Sequence, residues 1–294
     1  MHLPRTTQAR MAESGRVRLR VVTPPALPTY LVDYLAEPAP TGSRVLDGST
    51  PVVAFGKART AKVATLGLNP SLREFGLNSE TGFVWLPETE RRLATVRALG
   101  IKEGSWPRNP SFDAMATVVA DCDAYFERNP YGQWFDPLDE ILRRLGHTYY
   151  GQYSSACHLD LSPWATNPVW RRLHKVERQS LVDNGRRLLE AQLGEGSIAL
   201  LLINGAAVAK EAERALGLSF EEVGSRIAVP GRKTSSAVRR ASLCGVPVIA
   251  WSVNVQSSFG VTNELKLKLA ERVRDLCTFV GVTREPLTVR SRPR

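Results

Sequence analysis

The chain of 294 residues is long enough for one large domain or two small ones, and its 43% of hydrophobic residues is ordinary for a protein that buries a core. The formal net charge of +10 favours an anionic partner, either nucleic acid or a membrane surface. Because no stretch approaches the ~20 consecutive apolar residues of a membrane span, and the N-terminus lacks the apolar run of a secretory signal, we expect a cytoplasmic protein.

The first 50 residues are rich in proline, threonine and arginine. The prolines that interrupt any long element there are Pro24, Pro25, Pro28, Pro38 and Pro40. We therefore predict a basic, proline-rich arm over residues 1–50, with at most short helical turns. An α/β domain is predicted over residues 51–282, and residues 283–294 form a basic tail that carries Arg290, Arg292 and Arg294.

Four short apolar runs within the predicted domain are interpreted as strands that are buried on both faces. They are KVATLGL (62–68), YSSACHLDL (153–161), IALLLIN (198–204) and VPVIAWSV (246–253). Segments with helical spacing and polar faces, such as FDPLDEILRRLG and AAVAKEAERALG, lie between them. This alternation predicts an α/β fold, a three-layer α/β/α sandwich with a central four-stranded parallel sheet.

Each of the four runs ends on or near a polar residue. These residues are Asn69, Asp160, Asn204 and Asn254. In open parallel sheets the ligand binds beyond the carboxyl ends of the strands, so side chains that converge there form a candidate site. Asn204, which precedes a glycine, is better explained as a turn residue between strand and helix than as a ligand.

The segment GLNPS (67–71), directly after the first strand, resembles the first motif of the uracil-DNA glycosylase superfamily. It is closest to the G-x-N-P form of the mismatch-specific and thymine-DNA branch and of the single-strand-selective branch. NVQSSFG (254–260) is similar to the second motif, and LLINGAAVAKEA (201–212) is similar to the family's strand, glycine turn and small-residue helix. The resemblance covers residues 62 to about 280 and implies a base-excising enzyme whose partner is DNA rather than a membrane.

The resemblance assigns roles to individual residues. Asn69 would hold the attacking water, Phe83 would stack on the extruded base, and Asn254 would sit over the leaving base or its sugar. Pro70, Ser71 and His158 are further candidates for substrate binding. In the second motif, Ser257, Ser258 and Phe259 are candidates for DNA contact, with Ser258 at the position where many relatives place an apolar wedge and Phe259 as its substitute.

Asp160 is the most informative departure from the family pattern. The single-strand-selective branch places a base-reading asparagine three residues before a proline, in H-N-x-C-P, whereas HLDLSP places Asp160 before Pro163. An asparagine suits a uracil edge, but a carboxylate only accepts hydrogen bonds and suits an exocyclic amine such as cytosine N4. We therefore predict a modified cytosine as the target, such as one in foreign or phage DNA. The alternative is that Asp160 caps a turn before Ser162.

The predicted reaction is hydrolysis of the N-glycosidic bond of a flipped base, which leaves an abasic site. Asparagine positions water but is not a strong base, so the mechanism is expected to be dissociative, with cation character on the sugar. No lysine stands at a matching motif position to form a Schiff base, and we expect a monofunctional, monomeric enzyme.

The segment SRIAVPGRKTSSAVRR (225–240) has no acidic residue. Its cations are Arg226, Arg232, Lys233, Arg239 and Arg240. Two interpretations stay open, a solvated loop and a clamp on the phosphate backbone.

The four cysteines, Cys122, Cys157, Cys244 and Cys277, are widely separated and form no C-x-x-C pair. This spacing argues against a zinc site and an iron-sulfur cluster, so we expect plain thiols, no metal and no other cofactor.

Three alternatives to a modified-cytosine glycosylase remain. The first is a repair glycosylase for uracil or mismatched thymine, and the second is a module of the same fold that captures a flipped base without cutting. The third is a small-molecule α/β enzyme, which is disfavoured because neither G-x-G-x-x-G nor G-x-x-x-x-G-K-[ST] follows the first strand.

Overall fold

The computed structural model describes residues 26–80, 82–256 and 260–279. The elements in chain order are α1 (Thr29–Leu35), β1 (Val63–Gly67), β2 (Gly76–Ser79), β3 (Gly82–Trp85), α2 (Phe112–Asp123), α3 (Gly132–Arg144), β4 (Ala156–Asp160), α4 (Lys175–Glu195), β5 (Leu200–Asn204), α5 (Ala206–Leu216), β6 (Glu221–Glu222), β7 (Ile227–Ala228), β8 (Ser235–Ser236), β9 (Val238–Leu243), β10 (Val246–Trp251) and α6 (Asn263–Phe279).

The central sheet has the strand order β4-β1-β5-β10-β9-β6. The first four strands are parallel and coincide with the four apolar runs of the sequence, because a strand that is covered on both faces needs apolar side chains on both. The predicted α/β class is confirmed. The sheet has six strands rather than four, since β9 pairs antiparallel with β10 and β6 pairs antiparallel with β9, and the three-layer arrangement stays a prediction.

Strand β9 lies partly in the segment 225–240, for which a solvated loop was one of the two interpretations. Only its ends, Val238 and Leu243, are buried, while Arg240 and Ser242 are exposed, as in an outer strand that faces water. Cys244 and Gly245 connect it to β10 with φ angles of 50° and 78°. A two-residue turn with two positive φ angles matches the twist of a hairpin, which explains why a strand forms here.

The folded core begins before residue 51. In α1, Leu31 and Leu35 are buried, and the Tyr34 hydroxyl donates to Asn184 Oδ1 of α4 at 2.6 Å. Leu46 is also buried. The second half of the predicted arm is therefore part of the domain, whereas residues 1–25 and the predicted tail lie outside the described residues.

The topology places one edge of the sheet at a switch point. From β1 the chain proceeds to β4 on one side, and it later returns to β5 on the other side of β1. The registers Gly67↔Asp160 and Trp251↔Asn204 put the carboxyl ends of the parallel strands at the same edge. A ligand crevice is expected at such an edge, where neighbouring connections diverge.

Two further findings concern the described residues. Their helices include none with the length and apolar character that a membrane span requires. All four cysteines carry free thiols; Cys244 is exposed and the other three are buried.

Candidate active site

A pocket of about 780 Å³ opens at the carboxyl edge of the parallel strands. This volume lies within the range of ordinary ligand sites. The predicted site residues that line it are Asn69, Pro70, Ser71, His158, Asp160 and Asn254. The structure thus brings the polar strand ends together.

Asn69 follows β1 and is held by contacts from the segment after β4. Its Nδ2 donates to the Trp164 carbonyl oxygen at 3.0 Å and lies 3.3 Å from Thr166 Oγ1. Because a carbonyl oxygen only accepts, the amide nitrogen must face it, which fixes the orientation of the side chain. The Oδ1 atom is therefore the acceptor that Asn69 offers to the pocket.

Gly67, at the end of β1, is required for a close approach. A Cβ atom at this position would lie 2.3 Å from Asp160 Oδ1 and 2.8 Å from His158 Nε2. Because Gly67 has no side chain, the Asp160 carboxylate and the His158 imidazole can pack directly against the backbone of β1. The glycine of the GLNPS motif therefore has a local steric reason in this chain.

A buried polar chain leads to Asp160. The Tyr149 hydroxyl lies 2.5 Å from Thr65 Oγ1, which lies 2.7 Å from His158 Nδ1, and His158 Nε2 lies 3.5 Å from Asp160 Oδ1. The two ring nitrogens of His158 thus face different partners, Nδ1 the Thr65 hydroxyl and Nε2 the Asp160 carboxylate. The Asp160 side chain is 3% exposed and lines the pocket, so its carboxylate is a buried acceptor there. Its role in reading the base, rather than in capping the turn before Ser162, stays a prediction.

Asn204, at the end of β5, saturates its amide with protein partners. Its Oδ1 accepts from Trp251 Nε1 at 2.7 Å and from the Val255 amide at 3.0 Å. Its Nδ2 donates to Asn254 Oδ1 at 2.8 Å and to Gln256 Oε1 at 2.9 Å. Asn204 therefore holds the loop after β10 in place, a role that differs from that of a turn residue between β5 and α5.

Asn254 is oriented by these contacts. Its Oδ1 accepts from Asn204 and from the Gln256 amide at 3.0 Å. Both partners are donors, so the oxygen faces them and the Nδ2 group remains as the donor that Asn254 presents to the pocket. Gln256 is tied in turn to α3, because its Nε2 donates to the Trp134 carbonyl oxygen at 2.7 Å.

Glu74 is a pocket residue that the motifs did not identify. It ends a short 3-10 turn, Leu72–Glu74, and its side chain is 3% exposed. The Tyr125 hydroxyl donates to Oε2 at 2.7 Å, and Arg92 Nη1 lies 3.7 Å away. Burial raises the pKa of the carboxyl to about 7, and the charge of Asp160 adds to the rise, whereas Tyr125 and Arg92 lower it.

The predicted stacking residue Phe83 is not among the described residues that line the pocket. It lies in β3, where its ring makes an edge contact with Trp85 at 5.1 Å, so its aromatic surface is used within the β2–β3 hairpin. This assignment is corrected. The aromatic side chains that line the pocket are Phe55, Tyr131, Trp134, Phe135 and Trp170.

The predicted basic clamp is divided by the fold. Arg239 lies 3.3 Å from Glu213 and over the ring of Phe220. Arg240 lies 2.8 Å from Glu221. Both guanidinium groups are thus compensated locally, which argues against their role as phosphate contacts.

Arg232 and Lys233 are exposed between β7 and β8, and neither lines the pocket, so their contact with DNA stays a prediction. Arg73 and Arg171, which sequence reasoning missed, do line it and are exposed. Ser257, Ser258 and Phe259 lie outside the described residues.

No protein-family model and no curated protein sequence matches this chain. The resemblance to the uracil-DNA glycosylase superfamily therefore rests on the motifs. Within residues 26–80, 82–256 and 260–279, no group of three or more His, Cys, Asp or Glu side chains could hold a metal ion.

Proposed function

We propose that this protein is a monofunctional DNA glycosylase that hydrolyses the N-glycosidic bond of a flipped, modified cytosine and leaves an abasic site. The observation that carries the proposal is the convergence of Asn69, Asp160 and Asn254 in one aromatic-lined pocket. Base-excising enzymes need such a pocket because the flipped base must be stacked and hydrogen-bonded to repay the cost of leaving the duplex.

The pocket offers one buried acceptor to the edge of a base. A carboxylate such as that of Asp160 accepts from an exocyclic amine, which cytosine has and uracil lacks. A volume of about 780 Å³ leaves room for a substituent on the base. Selectivity against ordinary cytosine would come from contacts with that substituent, as in foreign or phage DNA.

The two amides that face the pocket have complementary roles in the proposed reaction. Asn69 Oδ1 would accept from the attacking water and hold it near C1′. Asn254 Nδ2 would donate to an oxygen of the departing base, where negative charge develops. Neither group is a strong base, which fits a dissociative step in which bond breaking precedes attack by water.

The binding partner in this proposal is DNA. The chain carries a net charge of +10, and Arg73 and Arg171 stand at the pocket, where the phosphates beside a flipped nucleotide would lie. As part of the same proposal, the enzyme acts as a monomer in the cytoplasm, and its helices cover the sheet in the three-layer arrangement.

A panel of oligonucleotides tests the proposal. Each carries one uracil, mismatched thymine, cytosine or 5-substituted cytosine, and strand breaks after alkali report abasic sites. We expect breaks at a substituted cytosine with the wild-type protein, a loss of about 100-fold or more in Asn69→Ala, and no loss in Asn78→Ala, whose exposed amide lies in β2.

The outcomes of the panel separate the alternatives. Release of uracil or thymine alone would identify a repair glycosylase and reject the assignment of Asp160. Tight, salt-sensitive binding without any strand break would identify a non-catalytic capture module. Full activity in Asn69→Ala would remove Asn69 from the mechanism.

A further inference from the structure

Glu74 is a buried acid in the pocket for which the mechanism above has no role. An acidic side chain that is 3% exposed is costly unless it is paired or protonated. Among the described residues, the cation close to Glu74 is Arg92, at 3.7 Å, and Arg92 also donates to the carbonyl oxygens of Asn129 and Arg73 at 2.8 and 2.9 Å. Glu74 is thus incompletely neutralised as a carboxylate, which favours the protonated form.

The groups that face Glu74 come from three segments. Tyr125 donates a hydrogen bond from the turn after α2, and Arg92 approaches from the loop after β3. Asp160 of β4 is close enough for its charge to disfavour a second carboxylate, and His158 stands beside Asp160 at 3.5 Å. The negative charge of Asp160 adds to the effect of burial and raises the pKa of Glu74, so Glu74 is the acid that holds a proton and can donate it.

We propose that Glu74 is a catalytic residue that donates its proton to N3 of the flipped cytosine while Asp160 accepts from the exocyclic amine. This inference rests on the proposed function and specifies how that site recognises and activates its base. The Watson–Crick edge of cytosine presents an amine donor beside a ring-nitrogen acceptor. An ionised acid beside a protonated acid is the complementary pattern. Uracil in the same position would present O4 to Asp160 and its N3–H to the protonated Glu74, so that acceptor faces acceptor and donor faces donor.

The transferred proton assists departure of the base. The O–H bond of Glu74 breaks and an N–H bond forms at N3, while the electron pair of the C1′–N1 bond moves into the ring. The base leaves as a neutral tautomer and the sugar keeps the positive charge. The water held by Asn69 then adds to C1′, and the proton that it releases restores the Glu74 carboxyl.

The pH dependence of excision tests this step. With the substituted-cytosine duplex that the panel identifies, we expect kcat/KM of the wild-type protein to fall as pH rises through about 7, the pKa of Glu74. Glu74→Gln keeps the size and a donor group but cannot transfer a proton. It should lower kcat/KM at pH 6 by about 100-fold and abolish the pH dependence, with DNA affinity unchanged. Glu103→Gln, which neutralises an exposed acid, is the control and should behave as the wild type.

Tyr125→Phe gives a second, independent change. Loss of a hydrogen bond that lowers the pKa of Glu74 should move the pH profile to higher pH while activity is retained. An unchanged rate and profile in Glu74→Gln would overturn the proposal. So would a profile that stays in place in Tyr125→Phe.

A binding measurement separates failure of this inference from failure of the proposed function. Free cytosine, titrated into the protein by calorimetry, should bind more tightly at pH 6 than at pH 8 in the wild type, but equally at both in Glu74→Gln, while free uracil binds weakly throughout. Absence of any base release from DNA would reject the glycosylase, yet this pH-dependent binding would still support the acid pair. Cytosine binding that is independent of pH in the wild type would reject the pair itself.

Discussion

Replacing Glu74 by glutamine should make the stability of the protein less dependent on pH. The pKa of this acid is raised from 4.5 to about 7 in the folded state, chiefly by burial. The folded state therefore binds the proton more tightly than the unfolded state. Its stabilising contribution is complete below the unfolded pKa and is lost as pH rises through the folded pKa. At roughly 1.4 kcal/mol per pKa unit, the loss amounts to about 3 kcal/mol between pH 4.5 and pH 8.

Urea unfolding at pH 5, 6, 7 and 8 measures this contribution as the difference in unfolding free energy between Glu74→Gln and the wild type. Titrating groups that do not interact with Glu74 cancel in the difference. We expect Glu74→Gln to gain about 2.5 kcal/mol relative to the wild type as pH increases from 5 to 8. The exposed control Glu103→Gln should show a constant difference. A constant difference for Glu74→Gln as well would refute the reasoning that burial holds this acid in its protonated form.

Three other changes are expected to act on different parts of the site. Gly67→Ala introduces a methyl group 2.3 Å from Asp160 Oδ1, so urea unfolding should show a loss of about 1–3 kcal/mol and excision should fall with it. Asp160→Asn replaces an acceptor by an amide, and the oligonucleotide panel should show a shift of preference from the cytosine derivative towards uracil. Arg171→Gln should weaken binding to all DNA sequences alike and reduce the slope of log K against log salt concentration by about one. Arg240→Gln, which removes a charge that Glu221 compensates, should leave the affinity and the slope unchanged.

The parallel strands could be predicted because short apolar runs between helical segments are typical of strands that are buried on both faces. Asn69, Asp160 and Asn254 were found because the carboxyl ends of parallel strands meet at one edge of the sheet. The antiparallel β9 was not predicted. Only its two ends are buried, so it has no continuous apolar run, and the turn signal is Cys244-Gly245 rather than Asn-Gly.

Tertiary contacts explain what sequence reasoning missed in the site. Tyr125, the hydrogen-bond partner of Glu74, lies 51 residues further along the chain. The sequence around Glu74 therefore shows only an acid between the apolar residues Leu72 and Phe75, and it does not reveal that the acid is buried. Phe83 has the aromatic ring that a stacking residue needs, but within the hairpin this ring packs against Trp85. In both cases the sequence shows the residue type but not the residue that it contacts in the fold.

The side-chain amides show how hydrogen bonds distinguish residues of one type. The side-chain oxygen and nitrogen of Asn204 both form hydrogen bonds within the protein, so neither is available to a ligand. In Asn69 the nitrogen bonds to the protein and the oxygen remains as an acceptor for a ligand. In Asn254 the oxygen bonds to the protein and the nitrogen remains as a donor. Hydrolysis of a glycosidic bond needs an acceptor for the incoming water and a donor for the departing base, so the two half-satisfied amides match the two ends of the reaction. Asn204 contributes by fixing which atom of Asn254 is left over, and its replacement by alanine should therefore impair excision through the orientation of Asn254 rather than through a lost contact with the base.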